Sequence, residues 1–385
     1  MEHSAYQYID TDEKLATFCD AMRLAPYCAI DTEFVREKTY YPLLALIQVA
    51  SDEQQACIDP LAIKDFAPLI ELLTNQSLLK IFHSPSQDLE ILLQEFSCVP
   101  VPVFDTQLAA AVLGYNHQIS YADLVQQVTG VLLEKKHTRA DWSRRPLSED
   151  ELDYAMDDVR YLLQVYTRLN AELESSQRRG WIEKELQALT CADNYRVDMA
   201  ELWRRLKGVQ KLKGVKLQIA SELCQWRETV AQQRNRPRRW IVKDEVIVDI
   251  ARRQPGNIEQ LAEIRDLGEK LIARYGKTLL DRVSHAQTVD ADLWPQLDRT
   301  KQLSAQQLAL GDCLMALCRV IAQENQVALA TLTTRKDIDT LIIDQQNSRL
   351  AQGWRFSMAG EQLLDFIHGQ SGIYVGDEGI KLDTR

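Results

Sequence analysis

At 385 residues the chain is too long for one ordinary domain and calls for two or three. Its 8 cysteines form no close Cys-x-x-Cys pair and its N-terminus is polar, which excludes a disulfide-stapled secreted scaffold and a zinc ribbon; no apolar run is expected to reach the ~18 residues of a membrane span, so a soluble cytoplasmic protein is expected. The formal net charge of −11 excludes a uniformly basic nucleic-acid-coating protein.

The first predicted strand is Tyr27–Phe34, and it ends on two acids, Asp31 and Glu33. Residues i and i+2 of a strand share a face, so the two carboxylates lie side by side at the end of an apolar run. Their repulsion is relieved either by solvent, if this is the wet face of an edge strand, or by a cation held between them. Strands at Leu43–Ala50 and Gln55–Ile58 and a helix from about Asp65 follow. A further strand, Leu78–Phe82, runs through His83 into Ser84-Pro85-Ser86-Gln87, which has the form of a capping box with proline at the first helical position. Asp88 then falls in the first helical turn, where a negative charge also suits the helix dipole.

A strand at Val101–Phe104 and helices from Thr106 and Tyr121 lead to the loop Glu134–Pro146, which mixes Lys135, Arg144 and Arg145 with Trp142. That loop is either a solvated charged surface or a phosphate contact. Ser148-Glu-Asp-Glu151 forms a second capping box and opens a long helix on which Tyr154 and Asp158, four apart, are neighbours on one face. Asp157 sits beside Asp158 and is a competing candidate. Strands and helices in this order suggest an antiparallel strand set joined to a parallel part.

Carboxylates delivered by a strand, a helix start and a second helix, with a tyrosine beside the last, suit a site for two divalent cations that hydrolyses phosphodiesters. Hard oxygen donors select Mg²⁺ or Mn²⁺. Asp31-Thr-Glu33, Asp88 within Phe82-His-Ser-Pro-Ser-Gln-Asp88, and Tyr154-x-x-x-Asp158 resemble the three motifs of the tyrosine-bearing DEDD 3′→5′ exonucleases. The segment Asp141-Trp-Ser-Arg-Arg-Pro-Leu-Ser148 is similar to the bacterial ribonuclease D family. The resemblance implies an α/β ribonuclease H-like domain, a mixed sheet flanked by helices, and it selects Asp158 over Asp157. It also implies that Asp31, Glu33 and Asp158 hold one metal with Asp31 bridging to a second, that Asp88 serves the second through water, and that Tyr154 orients the attacking water. Thr32, Phe34 and His83 are then expected along the substrate strand, Phe34 by stacking on the terminal base.

Beyond about residue 200 the apolar spacing is helical, with no convincing strand. Leu217–Gln232 and Gln307–Gln323 begin alike, and each is followed by a similar segment, Lys-Asp-Glu-Val246 or Arg-Lys-Asp-Ile338, which reads as a faint internal repeat. Leu267–Leu280 resembles the HRDC module, a small helical nucleic-acid-binding unit. The expected domains are an exonuclease domain over 1–200 and two all-α HRDC-like domains over 201–290 and 291–385. Residues 201–290 carry 19 Lys/Arg against 12 Asp/Glu, about +7, whereas 1–200 carries about −15. Arg234, Arg236, Arg238 and Arg239, beside Trp240, form the densest basic run, of which Arg236, Arg238 and Arg239 are expected phosphate contacts.

The expected activity is that of a metal-dependent 3′→5′ exoribonuclease releasing 5′-mononucleotides, with tRNA precursors and other structured RNA as substrates and no obligate protein partner. The alternatives are a DNA exonuclease of the proofreading type and a catalytically silent RNA-binding protein.

Overall fold

The structure, a computed structural model, describes residues 6–133, 140–297, 302–376 and 379–384. Its sheet has six strands: β1 (Gln7–Ile9), β2 (Tyr27–Val35), β3 (Leu43–Ala50), β4 (Gln55–Ile58), β5 (Leu79–Phe82) and β6 (Val103–Asp105), in the order β1-β4-β3-β2-β5-β6. The pairs β2·β5, β5·β6 and β1·β4 are parallel and β3·β4 is antiparallel, which is the mixed arrangement expected. Three residues were too few for β1 to leave a readable pattern. Helices α1 (Asp12–Met22), α2 (Ala67–Thr74), α3 (Ser86–Phe96), α4 (Thr106–Val112), α5 (Tyr121–Thr129), α6 (Glu149–Arg160), α7 (Leu162–Ser175) and α8 (Arg179–Leu189) surround this sheet. Apolar strand residues such as Ile30, Leu46, Ile47 and Ile81 are fully buried between them.

The two capping boxes part company. That of Ser148 and Glu151 forms in full at the start of α6. The one read at Ser84 does not, because Ser84 takes a left-handed backbone conformation (φ 58°) and its N–H donates instead to Asp105 Oδ1 at 2.9 Å. Asp105 Oδ1 also accepts from Gln107 N at 2.9 Å. One buried carboxylate thus ties the end of β5, the turn into α3 and the start of α4.

The described helices beyond residue 200 include α9 (Val215–Gln233), α10 (Arg238–Ile241), α11 (Asp244–Arg253), α12 (Ile258–Ala262), α13 (Glu269–Thr288), α14 (Ala305–Glu324), α15 (Leu329–Leu332) and α16 (Arg335–Ile343). The repeat is visible in the backbone. A long helix, a four-residue helix and a medium helix succeed one another in α9–α11 and again in α14–α16. After each long helix one residue adopts positive φ, Asn235 at 45° and Gln326 at 51°, and the next N–H returns to the helix, Arg236 to Ala231 O at 3.0 Å and Val327 to Ala322 O at 2.9 Å.

Two expectations are corrected here. The last segment is not all helical: β7 (Ser371–Gly376) and β8 (Gly379–Thr384) form an antiparallel hairpin, whose Gly-interrupted strands gave no clear alternation. In addition, α14 is long and apolar enough by length and composition to cross a membrane. Its Leu314, Leu317, Cys318 and Ile321 pack into a core with Leu332, Ile338 and Leu341.

The chain divides into two compact units, neither of them continuous. One comprises Met1–Glu33, Leu44–Tyr195 and Lys301–Arg385; the other comprises Phe34–Leu43 and Arg196–Thr300. Within the first unit, Arg178 donates to Val112 O at 2.8 Å and Asn325 O at 2.6 Å, Arg355 pairs with Glu185 at 2.9 Å, and the rings of Trp181 and Trp354 stack at 4.9 Å. Within the second, the Tyr40 hydroxyl donates to Glu228, and Asn235 Oδ1 accepts from the N–H groups of Tyr40 and Tyr41 at 3.0 Å each. The loop that follows β2 therefore packs on helix α9.

Candidate active site

The structure brings Asp31, Glu33 and Asp158 together so that one carboxylate oxygen from each lies within 4.8 Å of the other two. Strand β2 supplies the first two on one face, and the register of α6 supplies the third. Asp88, in the first turn of α3, is buried and accepts a hydrogen bond from the Thr32 hydroxyl at 2.5 Å. Asp157 is engaged elsewhere, by Arg160 on its own helix. That leaves Asp158 as the acid turned toward Asp31 and Glu33.

Four carboxylates so placed cannot all carry a bare negative charge cheaply. Burial, reinforced by Asp88, Asp158 and Glu33, lifts the Asp31 carboxyl well above the usual range. Burial with the charges of Asp158 and Asp88 pushes Glu33 up to about 8. Asp158 rises to about 7 through burial and its neighbours Asp157 and Asp88, and Asp88 to about 6 through burial, against the opposing hydrogen bond from Thr32. A cation placed among these oxygens would replace the protons and remove the repulsion. The donor set, all carboxylate, fits a hard divalent metal.

Tyr154 lies one turn before Asp158, with its ring stacked on the buried indole of Trp142 (centroids 6.3 Å apart, planes at 25°). Burial and then the charges of Asp158, Glu33 and Asp31 push its phenol up to about 12. It is therefore protonated near neutral pH and acts as a hydrogen-bond donor and acceptor rather than as a base.

The expected RNA contacts fare unevenly. Thr32 points to Asp88 and positions it, because alternation along β2 turns it away from the face of Asp31 and Glu33. Phe34 is partly exposed at the end of the strand. The His83 ring is occupied on both sides, Nδ1 with Thr106 Oγ1 at 2.9 Å and Nε2 with Ile119 O at 3.0 Å, and burial holds it down at about 4, so it is a neutral internal strut with no ring nitrogen left for RNA. Arg145 is likewise internal: it grips Asp59 with two bonds of 2.6 and 2.7 Å and donates to the carbonyls of Ala45, Trp142 and Arg144. Arg144 leans on Glu151 at 3.2 Å but keeps most of its side chain in solvent. Lys135 lies outside the described residues. In the second unit, Arg238 is taken by Glu228 and by the Tyr40 hydroxyl, whereas Arg236 and Arg239 are exposed beside the exposed Trp240. A basic run read along a chain does not distinguish an arginine that faces water from one that serves a buried carboxylate.

Asp105, Trp142 and Tyr121 escaped the sequence reading as site residues. Asp105 sets the turn that carries Asp88, Trp142 backs Tyr154, and the Tyr121 hydroxyl donates to Asp157 O at 2.8 Å, holding α6 beside the acids. Only Trp142 had a usable signal, its place within the quoted 141–148 segment.

Two sequence families match: a 3′-5′ exonuclease family over residues 6–174 and the HRDC domain over residues 216–283. Ribonuclease D of Granulibacter bethesdensis is 38% identical over 381 residues, covering 98% of this chain and 96% of the relative. This chain belongs to the ribonuclease D family. Ribonuclease D of Pseudomonas paraeruginosa is 35% identical over 370 residues, and 94% of this chain aligns with 97% of that one. A solved structure of Escherichia coli RNase D, described as an exoribonuclease involved in structured RNA processing, superposes with a TM-score of 0.84 at 32% identity, covering 95% of this chain and 99% of that one. As a ribonuclease D with an HRDC module, the chain is a 3′→5′ exoribonuclease on a ribonuclease H-like fold, and the exonuclease family is metal-dependent.

Proposed function

We propose that this ribonuclease trims the 3′ ends of structured RNA, tRNA precursors in particular, using two divalent cations, Mg²⁺ or Mn²⁺. The observation that carries the assignment of residues is the convergence of Asp31, Glu33 and Asp158 within 4.8 Å, with Asp88 held close by Thr32. Asp31, Glu33 and Asp158 would hold the first cation, Asp31 would bridge to the second, and Asp88 would serve the second through water. When bound, the cations activate water and neutralise charge developing on the scissile phosphate. Tyr154, protonated and braced by Trp142, orients the attacking water through its hydroxyl. Phe34 stacks on the terminal base, which suits an enzyme indifferent to sequence. Release of 5′-mononucleotides follows from attack on the phosphate with the 3′-hydroxyl of the shortened chain as leaving group.

The basic segment 201–290, through Arg236 and Arg239, grips the body of the RNA, and the exposed Arg144 adds a contact near the site; 1–200 and 291–385 complete the division of labour. The eight cysteines are all free thiols, which supports a reducing cytoplasmic setting. Sequencing the products from a purified tRNA precursor, with and without EDTA, tests the reading in one experiment. Stepwise 3′ shortening that stops at a defined end, and that EDTA abolishes, is expected. Equal trimming of a DNA strand of the same sequence would instead support a proofreading-type nuclease.

A further inference from the structure

Residues 149–175 contain neither proline nor glycine, and Leu152, Ala155, Met156, Val159, Leu162 and Leu163 recur at helical spacing, so nothing in the local sequence ends a helix in their midst. The structure nevertheless divides the segment into α6 and α7, with Tyr161 between them. In an unbroken helix the Tyr161 N–H would return to Asp157 O, four residues back. Here it bonds to Val159 O instead, on a backbone at φ −94° and ψ −10°. An interruption with no proline, glycine or π-bulge points to a side chain or water inserted into the hydrogen-bond ladder. The group at this break is the Tyr121 hydroxyl, which donates to Asp157 O at 2.8 Å.

The hydroxyl is well placed to matter. Burial and then the charges of Asp158 and Asp31 raise its phenol well above the usual value, with the Tyr161 backbone opposing, so it sits among Asp158, Asp31 and Tyr161 as well as on Asp157. Tyr121 is itself held. It opens α5 directly after the N-cap Ser120, whose hydroxyl accepts from Asp123 N at 3.2 Å, and its ring packs on that of His83 with centroids 5.7 Å apart. His83 is tied to Thr106 and Ile119 and precedes Ser84, whose turn carries Asp88. Tyr121 thus joins the frame around Asp88 to the last turn of α6, which carries Asp158. On the other flank Arg160 holds the Asp157 side chain, so that turn is gripped through backbone and side chain together.

Strand geometry fixes Asp31 and Glu33 relative to each other, whereas Asp158 arrives on a helix and depends on how that helix ends. We propose that Tyr121 is a positioning residue for the nuclease reaction: its hydroxyl draws Asp157 O out of the helical ladder, keeps α6 and α7 separate, and so sets the angle at which Asp158 meets Asp31 and Glu33. Without the hydroxyl, Asp157 O and the Tyr161 N–H are left to satisfy each other, the ladder closes, and the turn carrying Asp158 winds onto the axis of one continuous helix. The inference rests on Asp158 being a ligand of the first cation.

The test measures Mn²⁺ binding to the full-length protein by calorimetry without RNA, together with kcat and KM on an RNA oligonucleotide and the unfolding temperature in EDTA. Tyr121→Phe keeps the ring on His83 and deletes only the hydroxyl. It is expected to weaken Mn²⁺ binding and to lower kcat, each about tenfold, with KM unchanged. Its unfolding temperature should also hold, because the closed ladder replaces the lost bond. Tyr121→Leu removes the ring as well and should add a fall in unfolding temperature. A Tyr121→Phe protein that binds Mn²⁺ as the parent does, or that loses it only along with a lower unfolding temperature, would overturn the positioning role and leave Tyr121 as packing. Asp158→Asn separates this outcome from failure of the ligand assignment, since it should weaken Mn²⁺ binding about tenfold or more. If Asp158→Asn binds as the parent does, the assignment of Asp158 fails and the proposal with it. If it loses the metal while Tyr121→Phe keeps it, the brace alone fails.

Discussion

The roles proposed for the four acids and one tyrosine differ, and single substitutions separate them. Asp31→Asn keeps volume but removes the charge assigned to both cations. Hydrolysis should fall on the order of a thousandfold or more while RNA affinity holds, and more than a tenth of the original rate would sink the two-metal assignment. Tyr154→Phe keeps the ring stacked on Trp142 and deletes only the hydroxyl, so kcat should drop roughly a hundredfold with the melting temperature unchanged. The raised carboxyls make a further prediction about stability. In the unfolded chain these groups lose their protons near pH 4, whereas in the metal-free fold Asp88, Asp158 and Glu33 keep them to about 6, 7 and 8. The folded state therefore binds more protons between those limits, and stability falls as pH rises through that window. Calorimetry in EDTA should show the melting temperature declining from about pH 5 to pH 8, and saturating Mg²⁺ should restore most at the alkaline end. A flat profile in EDTA would mean that the acids are not mutually repelled.

At the scale of elements, legibility followed spacing. The pair on β2 and the capping box of α6 are written in short local patterns, and so Asp31, Glu33, Tyr154 and an acid at 157 or 158 could be located before any fold was known; the family resemblance chose Asp158. Asp88 was placed in the right turn of α3 for a partly mistaken reason, since Ser84 bonds to Asp105 rather than capping the helix. What remained hidden was pairing across distance. His83, Arg145 and Arg238 look like substrate contacts in a linear reading, yet each is consumed by a partner at least ten residues away: Ile119 and Thr106, Asp59, and Glu228. The Glu228 cluster shows the energetic weight of such partners. Glu228 is 1% exposed and accepts from both Arg238 and Tyr40. Glu228→Ala should cost about 3 kcal/mol, because it leaves a guanidinium and a phenol without their acceptor. Denaturant unfolding would measure this loss, and a change under about 0.5 kcal/mol, the size of an ordinary surface substitution, would show the cluster to be incidental.

For the whole molecule, charge is divided against itself, about −15 over residues 1–200 and about +7 over 201–290. If the exposed Arg236 and Arg239 meet phosphates, reversing both should weaken RNA binding at every sequence tested and flatten the log–log salt dependence by roughly two counterions, with kcat on a dinucleotide unchanged. An identical slope would move the main contact to Arg144 and its loop. Reversing Arg238 would test something else, because it would attack the fold around Glu228. The interleaving of the two units also bears on how the protein is made. Residues 196–300 leave the ribosome before 301–385, so the helical unit, waiting only on the already synthesised loop 34–43, can close first, whereas the unit holding the carboxylates gains its contacts with 301–385 only afterwards. A nascent chain arrested near residue 300 would then present a finished helical unit and an unfinished nuclease. Hydrolysis would switch on only after residues 301–385 have been added.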